Sequence, residues 1–164
     1  TGTGAMEAAC SNVLERGDTM IVCRNGFFGD RLADIARRCG AETHIVDSPW
    51  GKPVDLDTLA AELDKHPKIT AVGMVHAETS TGVLTPLQDF VELVHRKGAL
   101  IIVDAVTSLG GHEVRMTVGT WTSATAPARN AWAPLPDWRP SVSDQGPWMS
   151  SGPVSPTCRA FTST

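Results

Sequence analysis

The sequence has no run of about 18 apolar residues, the minimum for a membrane-spanning helix, and no stretch patterned like a signal peptide. It has no basic stripe, and its formal net charge is -4. No nucleic-acid partner and no membrane partner are therefore expected. It has no Cys-x-x-Cys pair. Cys10, Cys23, Cys39 and Cys158 are scattered, which suits small buried hydrophobes in a reducing compartment. His44, His66, His95 and His112 read as surface or loop residues without ligand spacing, so no metal is expected. Gly-Lys-Ser/Thr is missing, which excludes a nucleotide P-loop. No lysine follows Lys97.

What is present divides at Met116. Residues 1–116 alternate helix and strand signals. Helices are expected over 5–15, 29–38, 56–66 and 86–96, and strands over 19–23, 42–46, 69–76 and 99–104. Gly40 stops the second helix, Asp55 caps the third, and Pro86 opens the fourth. Strands separated by helices predict an α/β fold with a mostly parallel sheet and flanking helices. Residues 117–164 hold 7 of the 11 prolines and 4 of the 5 tryptophans, with Asp137 and Asp144 as the only acids. No helix or strand period runs through them, which predicts a low-order tail. Thr1 is not Met and falls inside a glycine motif, so the chain is expected to lack the start of its domain. Ending the sheet near Met116 is expected to leave an open edge.

Four segments at the expected strand–helix junctions carry chemistry. Thr1-Gly2-Thr3-Gly4-Ala5 precedes a helix. There, backbone amides at the positive end of the helix dipole suit a phosphate, although a plain helix cap is an equal reading. A dinucleotide fingerprint would need a third glycine where Glu7 stands, and a preceding strand. Phe27 and Phe28 sit between Gly26 and Gly29, either to stack on a flat ligand or to fill the core. His76-Ala77-Glu78-Thr79-Ser80-Thr81-Gly82 is dense in polar groups. It can offer hydroxyls to a ligand or cap the next helix. Asp104 ends the apolar run Leu100-Ile101-Ile102-Val103. A carboxylate at the end of a buried strand is costly unless a cation meets it, and ligands of open α/β sheets sit beyond strand ends. Together these point to a phosphorylated, planar, protonatable cofactor. Pyridoxal 5'-phosphate has all three properties.

These segments, with Val83-Leu84, Pro86-Leu87 and Val103-Asp104-Ala105-Val106-Thr107-Ser108-Leu109-Gly110-Gly111, resemble the class V pyridoxal-phosphate-dependent aminotransferases. The likeness is nearest to the alanine–glyoxylate (serine–pyruvate) branch and runs to about Met116. It implies a partial large domain of the aspartate-aminotransferase fold (fold type I) over 1–116, and a homodimer. It implies transamination from alanine or serine to a glyoxylate- or pyruvate-type 2-oxo acid, in a peroxisome or mitochondrion. By the resemblance, Thr1, Gly2 and Thr3 hold the cofactor phosphate. Phe28 stacks on the pyridine ring, Thr79 contacts the ring or its hydroxyl, Asp104 pairs with the ring nitrogen, and Val106 packs on the other face. Another class V enzyme, such as a cysteine desulfurase, is the alternative within the family. A non-catalytic product that interacts with the full-length subunit is the alternative outside it.

The resemblance also implies a Schiff-base lysine beyond Asp104, in a Ser-x-x-Gln-Lys stretch followed by Pro-Pro-Gly. Neither occurs here, so no catalytic residue is assigned and the chain is expected to have little or no transaminase activity. Reading the codons of 117–164 one nucleotide earlier permits Val-Asp-Ile at Trp121-Thr122-Ser123, Tyr-Ser at Thr125-Ala126 and Gln-Lys at Arg129-Asn130. It also permits Gly-Ala-Pro-Pro-Gly-Leu across Trp132 to Trp138. These are the missing motifs in order, which makes 117–164 an expected out-of-frame segment.

Overall fold

The computed structural model describes residues 2–112, residue 114 and the backbone of 123–125. Thr1, Cys158 and the remainder of 117–164 lie outside the described residues, and with them the expectation of a low-order tail. The order is α1 (Gly2–Val13), β1 (Thr19–Arg24), α2 (Phe27–Arg38), β2 (Glu42–Asp47), α3 (Leu56–Lys65) and β3 (Ala71–Val75). There follow β4 (Ala77–Glu78), β5 (Val83–Leu84), α4 (Leu87–His95), β6 (Leu100–Asp104) and β7 (Ser123–Thr125).

Five strands form one sheet in the order β2-β1-β3-β6-β7, every neighbouring pair parallel. Both faces are covered, so the inner strands β1, β3 and β6 are buried along nearly their whole length rather than alternating, whereas edge strand β2 is mostly polar. Along β1, Met20 and Val22 join Met6 and Cys10 of α1 and Leu32 and Ile35 of α2 in one buried cluster. Ile21 and Cys23 face the other way, into a cluster with Leu59 and Leu63 of α3 and Phe90 and Val94 of α4. The result is a three-layer α/β/α arrangement whose strands end together, and the chemistry-bearing segments follow those ends.

Local chemistry explains the boundaries. Asp55 caps α3 by accepting from the Asp57 amide at 3.0 Å and the Thr58 hydroxyl at 2.7 Å. Gly40, at φ 90°, ends α2 in a left-handed cap, with Gly40 N donating to Arg37 O and Ala41 N to Ala36 O. Two expectations are corrected, and a third is placed in context. α1 begins at Gly2 rather than Ala5, so Gly2 and Thr3 lie in its first turn, not before it. The loop expected at 79–82 is present, as the turn that joins β4 and β5 into an antiparallel hairpin. The sheet edge at β6 is not open, because Ser123–Thr125 pairs with Ile102–Asp104. An unpaired strand edge is a template for any extended segment within reach, whatever its side-chain pattern.

Candidate cofactor cleft

Gly2, Thr3, Phe28, Thr79, Asp104 and Val106, drawn from four segments of the sequence, line one small cleft of about 40 Å³ beyond the ends of β3 and β6. Met6 and Val75 add apolar wall, and Thr107 a hydroxyl. Six of the seven residues singled out by sequence are thus brought together. The seventh, Thr1, lies outside the described residues.

Asp104 is only 5% exposed. Its Oδ1 accepts from the Val106 amide at 2.8 Å, and no ion pair engages it among the described residues. Burial pushes its carboxyl up to about 6, against the opposing Val106 hydrogen bond and with help from the charge of Glu78. A buried acid without a cation, lining a cleft, fits a ligand that brings its own positive charge. A protonated pyridine nitrogen is such a group.

The two phenylalanines separate. Phe28 is half-buried and lines the cleft, whereas Phe27 is 47% exposed and meets Phe28 edge-on at 5.5 Å. The Arg31 guanidinium stands 4.9 Å from the Phe27 ring centre and donates to Thr3 Oγ1 at 2.7 Å. This end of the cleft therefore combines a helix N-terminus with a fixed cation, both favourable to an anion. Thr79 Oγ1 donates to Thr107 Oγ1 at 3.4 Å, and Thr107 donates to Ala77 O at 2.7 Å.

Sequence reasoning missed Glu78. It is fully buried, and its Oε2 accepts from the Phe28 and Gly29 amides at 3.1 and 3.2 Å. Its Oε1 accepts from the Ser80 amide at 3.0 Å and hydroxyl at 2.6 Å. Ser80 Oγ also accepts from Phe27 N at 3.0 Å. The polar loop therefore caps the distant helix α2, some fifty residues earlier, not the following helix. That is why α2 begins at Phe27, two residues before the expected Gly29. Only the Gly26-Phe27-Phe28-Gly29 context hinted at a helix start short of its own capping side chain. His76 was also unassigned. It is buried, with Nδ1 2.8 Å from Ser108 Oγ, and burial, assisted by His112, pulls its imidazole down to about 4.

Two of the histidines, His44 and His66, stand together in the fold. His44 lies on β2 and His66 follows α3, both half-buried, and with Glu62 they converge so that one ligand atom from each lies within 4.8 Å of the others. Spacing along the chain does not reveal this, because His44 comes from a different element than Glu62 and His66. A more open groove beside Arg24, Asp47 and Trp50 offers no such chemistry. Its guanidinium is paired with Asp30 and Asp47 at 2.8 and 3.0 Å.

The family model described as "Aminotransferase class-V" matches residues 1–118. The chain belongs to the class V aminotransferases. It is 43% identical over 116 residues to alanine–glyoxylate aminotransferase of Rattus norvegicus, a match covering 71% of this chain and 28% of that protein. It is 44% identical over 124 residues to a protein of Synechococcus sp. named soluble hydrogenase, small subunit, covering 74% of this chain and 32% of that one. Among solved structures, alanine–glyoxylate aminotransferase from Nostoc sp. aligns with a TM-score of 0.66 and 44% identity, over 70% of this chain and 30% of that one. The chain thus spans about a third of the length of such relatives. What it spans is part of the large domain of fold type I pyridoxal-phosphate enzymes. A cysteine desulfurase of Thermococcus onnurineus shares the fold at 17% identity and a TM-score of 0.55, which shows the fold alone.

Proposed function

We propose that the whole protein is a pyridoxal-phosphate transaminase, passing an amino group from alanine or serine to a glyoxylate- or pyruvate-type 2-oxo acid. We propose further that this chain holds most of the cofactor-binding half of that site without the residue that links the cofactor. The observation that carries the reading is the unpaired, buried Asp104 in a cleft shared with Gly2, Thr3 and Phe28. When bound, the cofactor supplies the electron sink for amino-group transfer.

In this reading the chain's own residues bind and orient. The amides of Gly2 and Thr3, with Thr1, receive the phosphate. Phe28 and Val106 hold the ring between them, and Thr79 lies beside its hydroxyl. Asp104 holds the proton on the ring nitrogen, the charge state in which the ring withdraws electrons. No lysine follows Asp104, and the family match stops at residue 118. The chain by itself thus lacks the amine that would link the cofactor and move the substrate proton, a general acid–base role worth about 10²–10⁴-fold.

Titrating the purified chain with pyridoxal phosphate tests this. Reversible quenching of bound-cofactor fluorescence, no stoichiometric adduct fixed by borohydride, and no turnover of alanine with glyoxylate are expected. Robust turnover by residues 1–164, or no cofactor binding at all, overturns the reading.

A further inference from the structure

At the sheet edge opposite β7, away from the cofactor cleft, two imidazoles and a carboxylate meet across two elements. His44 extends from edge strand β2, while Glu62 and His66, four residues apart at the end of α3, share a helix face. The rings of His44 and His66 are 4.0 Å apart, centre to centre. His66 Nε2 is 3.1 Å from Glu62 Oε1, and Lys65 Nζ occupies the other carboxylate oxygen at 2.7 Å. His44 Nε2 is closed off from solvent and has no hydrogen-bond partner. Glu42 Oε1 stands 3.4 Å from it without hydrogen-bond geometry.

A buried ring nitrogen facing a second imidazole is poorly served by the protein alone. With both rings protonated they repel, and with both neutral a lone pair goes unmatched. A cation between them answers both problems. We propose that His44, Glu62 and His66 form a site for one zinc-class divalent cation that ties edge strand β2 to helix α3. Two imidazole nitrogens and one carboxylate oxygen are the donors such ions prefer, whereas magnesium and calcium require more oxygens. Tetrahedral ligands about 2.0–2.2 Å from one ion lie about 3.3–3.6 Å apart. The observed spread of 4.8 Å therefore closes with side-chain shifts of about 1 Å, within the reach of rotamer adjustment at Glu62 and His66. Water or the exposed Glu42 completes the coordination. Because the ligands join separate elements, binding favours the folded chain and raises its apparent folding constant by the factor 1 + [metal]/Kd.

The test uses the native 164-residue chain with its accessible thiols alkylated, titrated with Zn2+ by calorimetry and with Co2+ by visible absorption. One ion per chain at micromolar Kd or tighter is expected, with a Co2+ spectrum of nitrogen and oxygen ligation. Magnesium should produce no heat. His44→Ala, Glu62→Gln and His66→Asn should each weaken Zn2+ binding at least 10-fold, while His95→Ala leaves it unchanged. Should a variant fail to fold, protection of His44 and His66 from diethylpyrocarbonate by Zn2+ in the unaltered chain gives the answer. No binding below millimolar Zn2+, equal affinity in His95→Ala and the three ligand variants, or unprotected His44 and His66 overturns the proposal.

Discussion

Gly26 and Glu78 compete for one volume: a Cβ on Gly26 would overlap Cγ and Cδ of Glu78. The Gly26 backbone is extended, with φ 175°, so space rather than conformation requires glycine there. The room it leaves lets the Glu78 carboxylate reach the amides of Phe28 and Gly29 and set the position of the aromatic that lines the cleft.

This relationship predicts two separable losses of stability. Glu78→Ala leaves helix-start amides without their acceptor, at about 1–3 kcal/mol for each group stranded. Gly26→Ala keeps the carboxylate but displaces it, at about 1–3 kcal/mol. Urea midpoints measure both. A Glu78→Ala midpoint equal to that of the unaltered chain would refute the capping role.

Asp104 and His76 predict opposing pH dependences for the cofactor-free chain. The Asp104 carboxyl is raised from 3.8 to about 6. The folded state therefore holds that proton more tightly, and stability falls as pH rises from about 4 to about 6. The His76 imidazole is lowered from 6.5 to about 4. Its neutral form is the one accommodated, so stability falls as pH drops from about 6.5 to about 4. The two dependences have opposite signs and nearly cancel between pH 4 and 6. Asp104→Asn should unmask a stability that climbs with pH over this window. His76→Gln should unmask one that declines. Denaturation midpoints at stepped pH check the signs, and parallel profiles for the two variants would contradict the assignment.

Cofactor affinity should depend on the same carboxylate. Asp104→Asn is expected to weaken pyridoxal phosphate binding about 10–100-fold, the worth of a hydrogen bond between charged groups. Phe28→Ala should weaken it through lost ring contact while leaving the unpaired acid in place. Fluorescence titration measures both. Unchanged affinity in Asp104→Asn would remove the ring-nitrogen role.

Thiol reactivity should follow burial. Cys10 and Cys23 are fully buried, and burial pushes the Cys10 thiol up to about 12 and raises that of Cys23 further. Cys39 is half-buried. Peptide mapping after brief alkylation of the native chain should find Cys39 labelled well before Cys10 and Cys23, with the difference erased in denaturant. Early labelling of Cys10 would show that α1 does not pack as described.

The elements of residues 1–116 were legible from the sequence because their signals are local. Apolar runs bounded by Gly17, Gly40 and Asp55 mark strands, stops and caps, and these bounds fall within a few residues of the observed ones. Asp104 was legible because a charge ending an apolar strand is unusual in itself. Phe28 was legible only as one of two alternatives. Its place in the cleft, with Phe27 outside, follows from where α2 begins, and a carboxylate some fifty residues along the chain decides that.

Composition and local pattern by themselves therefore determined the α/β alternation, the strand-end acid and the lack of a lysine beyond it. Tertiary structure alone decided that Glu78 is a cap rather than a ligand group, that Ser123–Thr125 closes the edge of β6, and that His44 meets Glu62 and His66. The physical reason is range. Propensity and periodicity act over a few residues, whereas a shared carboxylate, a strand edge or a ligand cluster exists only when the folded backbone brings separate segments within hydrogen-bonding distance.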